Sequence, residues 1–436
     1  MNARQSITAM PESAGSSACL APPRDRAGSP AGTALTVLLA GLLLAMPATS
    51  QAQSTWIGDV GNYDTPGNWN PAGVPAAGTA ISILDGNATR TGSNLVRAAD
   101  TLIDGGVLSV VNGRFINAQG GPAALTLNSG GIQHSGQFFL VGNNNIGSIT
   151  QNGGAVNSAV TEGWYLSDNA GSIGTYQMNG GSLGISISGT SALDRQIHIG
   201  RRPSAGGDLL AIDGGTVTMT GASGNRRVYV SNNATMLIDS GTVTMDGFRF
   251  FVVGREFVGS RSTSNLEING GNLTLTGFEA AGAMVIANGN DGALLMNGGS
   301  LTALGTTPMW VGDGGGSTGQ VFQTGGLIDL ESGDLVLSRA TSSVGEYFMS
   351  GGSLFANDII TGSGNNPLFD FTGGEIFLAG DRTDLLDQPW FLTNELARAE
   401  FDPTINQTWL YVVPEPGRAL LFAVGALWLT ARRRRC

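Results

Sequence analysis

The chain has 436 residues, of which 68 are Gly, and only 13% are charged. With 41% of residues apolar it is not a disordered tail protein, and a net charge of −11 leaves nothing to neutralise a nucleic-acid backbone. All the basic residues are Arg, and the two cysteines, Cys19 and Cys436, sit at opposite extremes, so neither a disulfide framework nor a Cys-type zinc site is available.

In chain order, the first predicted element is an apolar helix over Ala34–Met46. It is preceded by Arg4, Arg24 and Arg26 and followed by Ser50-Gln51-Ala52. Thirteen apolar residues span only about 20 Å as a helix, short for a bilayer. A basic flank, a short apolar core and small residues at the cleavage positions describe a secretory signal peptide over 1–52, cut after Ala52. Export through the general secretion machinery follows from it.

From residue 101 to 379 a small polar residue followed by Gly-Gly recurs, with Asp239-Ser240-Gly241 as a variant, in eleven copies from Gly105 to Gly373, with a mean period of about 27 residues. Positions two and four before the pair are mostly apolar, as in Leu102–Val110, Ala211–Met219 and Glu267–Thr276. Alternation with period two predicts a strand with one face inward. A second alternating strand follows the pair, as in Val217-Thr218-Met219. A third run follows it: Phe139–Gly142, Ile197–Gly200, Val228–Ser231, Phe251–Gly254 and Met309–Gly312. Three short strands per period predict an all-β fold, a parallel β-helix of about eleven coils. It is taken as right-handed by analogy with other β-helices. The residue before each pair, among them Asn152, Asn179, Asp213, Asp239, Asn269 and Asn297, suits a sharp bend and is expected to stack into a ladder.

A solenoid needs closed ends. Residues 53–100 hold a Trp- and Pro-rich opening, Trp56 through Trp69 to Pro75, that reads as a cap with the first strands. It resembles the opening of exported bacterial proteins with autotransporter-associated strand repeats. Residues 380–413 read as the other cap, with a candidate short helix over Asn394–Ala399 and a last strand over Trp409–Val413.

The chain ends Val413-Pro414-Glu415-Pro416, then an apolar stretch over Ala419–Ala431, then four arginines and Cys436. A stiff break, an apolar helix and a basic block form a segment that halts an exported chain in the membrane. Residues 414–436 in this order resemble the PEP-CTERM sorting signal of Gram-negative bacteria. The resemblance implies processing near Pro414-Glu415-Pro416 by an exosortase after transient insertion in the inner membrane. It also implies a final address on the cell surface or in an exopolysaccharide matrix.

The body, 53–413, carries 14 Arg against 30 Asp and Glu and has no Cys. Its acidic runs, Asp329/Glu331/Asp334 and Asp381/Asp384/Asp387, read as solvated turns. His134 and His198 read as structural, and no metal or cofactor is expected. One constellation stands apart. Aligning third strands on Gly200, Ser231 and Gly254 places Arg195, Arg226 and Arg249 at one register position and Arg201 and Arg255 at another. Arginines stacked at strand spacing form a candidate edge for the carboxylates or sulfates of an acidic exopolysaccharide. The expected function is a non-catalytic surface or matrix protein, a scaffold or adhesin. The alternative is a lyase, glycosidase or acidic-glycan-binding module on the same β-helix.

Overall fold

The computed structural model describes residues 53–413, apart from 190–195, 203–205, 223, 225, 256–261 and 394–395. Both terminal helices expected from the sequence, together with Ala52, Arg195, Pro414, Glu415 and Pro416, lie outside the described residues. Within them the chain is an all-β parallel solenoid of about twelve turns.

One coil shows the design. Leu209–Ile212, Thr216–Gly221 and Arg227–Ser231 are its three strands. Each pairs in parallel with its counterpart in the next coil, Thr235–Ile238, Thr242–Asp246 and Phe250–Arg255. Three faces result, here called the first, second and third sheets. The coil count exceeds the number of Gly-Gly pairs because Ala80–Ile83, Asn87–Thr91 and Leu95–Arg97 already form a full coil. That coil turns its corner on Asp85-Gly86, with no pair to count.

Register explains the alternation. Ile83, Ile103, Leu127, Gln151, Met178, Ile212 and Ile238 stand one above another, and Ile268, Met296, Gln323, Met349 and Phe371 continue the row. These side chains are buried in one continuous core. Each buried aliphatic contributes about 1.5–3 kcal/mol. Two glutamines interrupt the row, and both are satisfied. The Tyr176 hydroxyl donates to Gln151 Oε1 at 2.7 Å, and Gln151 Nε2 donates to the carbonyl of Ser182 at 3.0 Å. The Tyr347 hydroxyl donates to Gln323 Oε1 at 2.5 Å, and Gln323 Nε2 to the carbonyl of Ser353 at 2.9 Å. The same plug occurs twice, because a buried amide without partners costs about 1–3 kcal/mol.

The Gly-Gly corner is required by two constraints at once. Gly215 has φ +80°, where a β-carbon is strained, and a β-carbon there would lie 2.5 Å from the Gly181 carbonyl oxygen of the coil beneath. That same carbonyl accepts the Thr216 N–H at 3.1 Å, so the coils cannot move apart to make room.

Both ends are closed. At the N-terminal end Thr55 and Trp56 pair antiparallel with Asn70 and Trp69. The rings of Trp56, Tyr63 and Trp69 meet edge to face, and Trp69 Nε1 donates to the Tyr63 carbonyl at 2.8 Å. At the C-terminal end Gln407–Val412 runs antiparallel to both Leu368–Ala379 and Ala397–Asp402. The last strand therefore lies where the sequence put it. Of the helix expected over Asn394–Ala399, Asn394 and Glu395 lie outside the described residues, and Ala397–Ala399 belong to a strand instead. The short helical turn of this cap is a 3-10 segment, Thr383–Asp387. Antiparallel pairing in the cap supplies the hydrogen bonds that a helix would have supplied locally.

Gly215→Ala is expected to lower stability by about 1–3 kcal/mol. Gly78→Ala, where a β-carbon meets nothing within 4 Å and φ is not in the left-handed region, should be near neutral. Thermal melts of the two variants side by side check this.

Candidate functional surfaces

The arginine alignment can be placed on the coordinates. Gln196 pairs with Arg227 and Arg227 with Phe250, so Arg226 and Arg249 do occupy one register position. Burial separates them. Arg226 is 3% exposed and its Nη2 donates to the Gly189 carbonyl at 3.1 Å, under the coil surface. Arg249 is half-buried, its guanidinium carbon 5.2 Å from the centre of the Phe250 ring. Arg227, which the alignment did not single out, lies 5.3 Å from the same ring and donates to the Tyr229 hydroxyl at 2.9 Å.

The second pair of the expected edge is also engaged. Arg201 pairs with Asp168 and lies 4.6 Å over the Tyr165 ring. Arg255 donates to Asn288, whose amide donates to Asp313 at 2.6 Å. Asp313 in turn pairs with Arg339, which sits 3.7 Å over Trp310. Guanidinium groups over aromatic faces are attracted by the ring quadrupole, at about 0.5–1 kcal/mol or more each.

Beneath these arginines lies a feature that sequence reasoning missed. Tyr165, His198, Tyr229, Val252, Val285 and Trp310 stand at one register position on the outward side of the third sheet. The first five of them are at most 4% exposed. The His198 ring stacks on Tyr229 with centroids 4.8 Å apart, and burial holds its imidazole well below its usual pKa. The signal was present: Ile197-His198-Ile199, Val228-Tyr229-Val230 and Met309-Trp310-Val311 are unbroken apolar or aromatic runs, the mark of a strand covered on both faces.

His134 belongs to the core. Its Nδ1 is 3.1 Å from Ser158 Oγ and its Nε2 3.2 Å from the Gly113 carbonyl, and burial pushes its pKa down to about 4. Ser158 and His134 are 2% and 3% exposed.

Four carboxylates of the acidic runs are engaged, two within their own turn and two with a neighbouring coil. Asp329 accepts the Glu331 N–H at 2.9 Å, Glu331 the Gly305 N–H at 2.6 Å, and Asp334 the Asn357 amide at 2.7 Å. Asp381 accepts from the Thr383 hydroxyl at 2.8 Å. Among the described residues, no group of three or more His, Cys, Asp or Glu is placed to hold a metal ion.

The polar ladder at the corner forms, coil over coil. Asn179 donates to Asn152 at 2.7 Å and Asn152 to Asn128 at 2.8 Å. Higher up, Asn297 donates to Asn269 at 2.8 Å and Asn269 to Asp239 at 2.6 Å. In the coil of Ala123–Val141 the rung is Asn128 and not Ser129, since a bulge shifts the register there and Ser129 bonds Asp104 instead. At mid-ladder two carboxylates, Asp213 and Asp239, replace amides. Partial burial and the Asp239 charge raise the Asp213 carboxyl above its ordinary range, while Gln177 pulls it back. Partial burial and Asp239 also raise Glu267.

The outer face of the second sheet carries a shallow cavity of about 400 Å³, lined by small and polar side chains that include Ser109, Gln133, Asn157, Gly184 and Thr218. No protein-family model, no curated protein and no solved structure matches this chain.

Because the native Asp213 holds a proton more readily than an unfolded one, its contribution to stability improves as pH falls from neutrality into that raised range. Asp213→Asn restores an amide rung and removes the repulsion. It should raise the melting temperature slightly at pH 7, by tenths of a kcal/mol in free energy, and by less at pH 5. Melts at the two pH values check both the sign and its pH dependence.

Proposed function

We propose that this chain is a non-catalytic, exported β-helix protein of the bacterial surface or extracellular matrix, a scaffold or adhesin delivered by exosortase sorting. One observation carries the reading: the side chains with chemical potential are engaged in holding the rod together. His134 and His198 are in buried contacts, Asp168 and Asp313 pair with arginines, Asp329 and Asp381 bind their own turns, and Glu331 and Asp334 bond neighbouring coils. What faces outward is a regular array of rungs, closed at both ends, which suits a stable spacer.

On this reading the solenoid is right-handed and follows, in sequence, a signal peptide over 1–52 cut after Ala52 and precedes a sorting helix over Ala419–Ala431. The tail follows directly on the cap, since the last strand ends at Val412 and Val413 N–H donates to the Leu396 carbonyl at 3.0 Å. A processing site at Pro414-Glu415-Pro416 would thus follow the last strand directly in sequence. An acidic exopolysaccharide at the arginine edge would have to compete with Asp168 for Arg201 and with Asn288 for Arg255.

Replacing Pro414, Glu415 and Pro416 by Ala in a Gram-negative host that has an exosortase should shift the protein from the surface and medium into the membrane fraction, uncut. Equal distribution and equal processing of the two forms would contradict the sorting reading.

A further inference from the structure

The outer face of the second sheet changes character along the solenoid. At one register position stand Thr218, Thr244, Thr274 and Thr302, then Asp329, then Phe355, Phe377 and Trp409. The rings are ordered. Phe355 and Phe377 stack at 4.4 Å with planes 12° apart, and Phe377 and Trp409 lie nearly parallel at 6.3 Å. Tyr411 stacks on Trp409 at 4.2 Å.

Two troughs open along this row. One, of about 430 Å³, is lined by Phe377, Trp409, Ile405 and Pro403 together with the carboxylates of Glu400 and Asp402. The other, of about 280 Å³, adds Phe355, Asp329 and Glu331. They share Phe377, Ile405 and Gln407, and no basic side chain lines either. Ile405 is 65% exposed. Glu400 is fixed by the Tyr411 hydroxyl at 2.5 Å, and Asp402 by the Thr404 N–H at 2.8 Å.

We propose that these joined troughs bind a strand of neutral polysaccharide. A pyranose has an apolar C–H face and a rim of hydroxyl groups. The apolar aromatic and aliphatic side chains that line the troughs match the first. Carboxylates and the Gln407 amide match the second, since hydroxyls donate most strongly to ionised acceptors. Four carboxylates without a cation exclude an acidic polymer, whose own charges would be repelled. Two cavities that share lining residues along one register row, continued by the threonines, suit a polymer over a single sugar. An exposed apolar floor rimmed by polar groups is otherwise a liability for an exported protein. The inference names a partner for the matrix protein proposed above and rests on that reading only for the source of the polysaccharide.

Native electrophoresis of the full chain in gels cast with laminarin, hydroxyethyl cellulose or alginate tests the site. Retardation is expected in at least one neutral gel and not in alginate. Trp409→Ala and Ile405→Asp should each weaken it at least tenfold, and Trp409→Phe should keep most of it. Ile405 is exposed, so its variant should melt as the wild type does and separates lost binding from lost folding. No retardation in either neutral gel, retardation in alginate, or full binding by Ile405→Asp would overturn the proposal. Export plays no part in this assay, so a failure of sorting and a failure of binding are read separately.

Discussion

Each coil of this protein closes on a backbone approach that leaves no room for a side chain. At most of these corners the second glycine of the pair, as at Gly215, takes a left-handed conformation while the carbonyl of the coil beneath lies where its β-carbon would stand. That contact sets the height of one coil on the next, and the height fixes the register of all three sheets. Register then makes ladders: an aliphatic row inside, an amide row at the corner, and aromatic or hydroxyl rows outside. A glycine-rich body with no cysteine between residues 53 and 413 can be stable because closely related corners recur coil after coil.

Much of this was legible in the residues. Period-two alternation around each Gly-Gly pair placed the first two strands and their inward faces, and the polar residue before the pair announced the corner ladder. Where the reading fell short, the causes are local. The coil at Ala80–Arg97 turns on a different corner, so a motif count passed over it. The cap over Ala397–Asp402 is a strand because the last strand pairs with it from the other side, a tertiary effect that local propensity does not contain.

The arginines teach a related lesson. Spacing was enough to put Arg226 and Arg249 at one register position, yet it could not say which guanidinium points under the coil and which lies over Phe250. That depends on the row beneath, where Tyr165, His198 and Tyr229 cover the outward side of the third sheet. The unbroken apolar runs of the third strands carried this information. The aromatic troughs at the C-terminal end were not legible at all, because Phe355, Phe377 and Trp409 are far apart in sequence and the last of them reaches the row through an antiparallel strand. The rows on each face are thus built from side chains contributed by successive coils, and no single repeat contains one.

The account stands on coil-over-coil register, and cysteine cross-linking reads register directly. With Cys19 and Cys436 replaced by Ser, the double variant Asn152→Cys/Asn179→Cys places two thiols on neighbouring rungs of the ladder, at strand spacing and within reach of a disulfide. Mild oxidation should close that bond in high yield within one chain, while Asn152→Cys/Asn297→Cys should stay reduced. Efficient closure of the second pair, or none of the first, would contradict the stacked solenoid on which every surface described above depends.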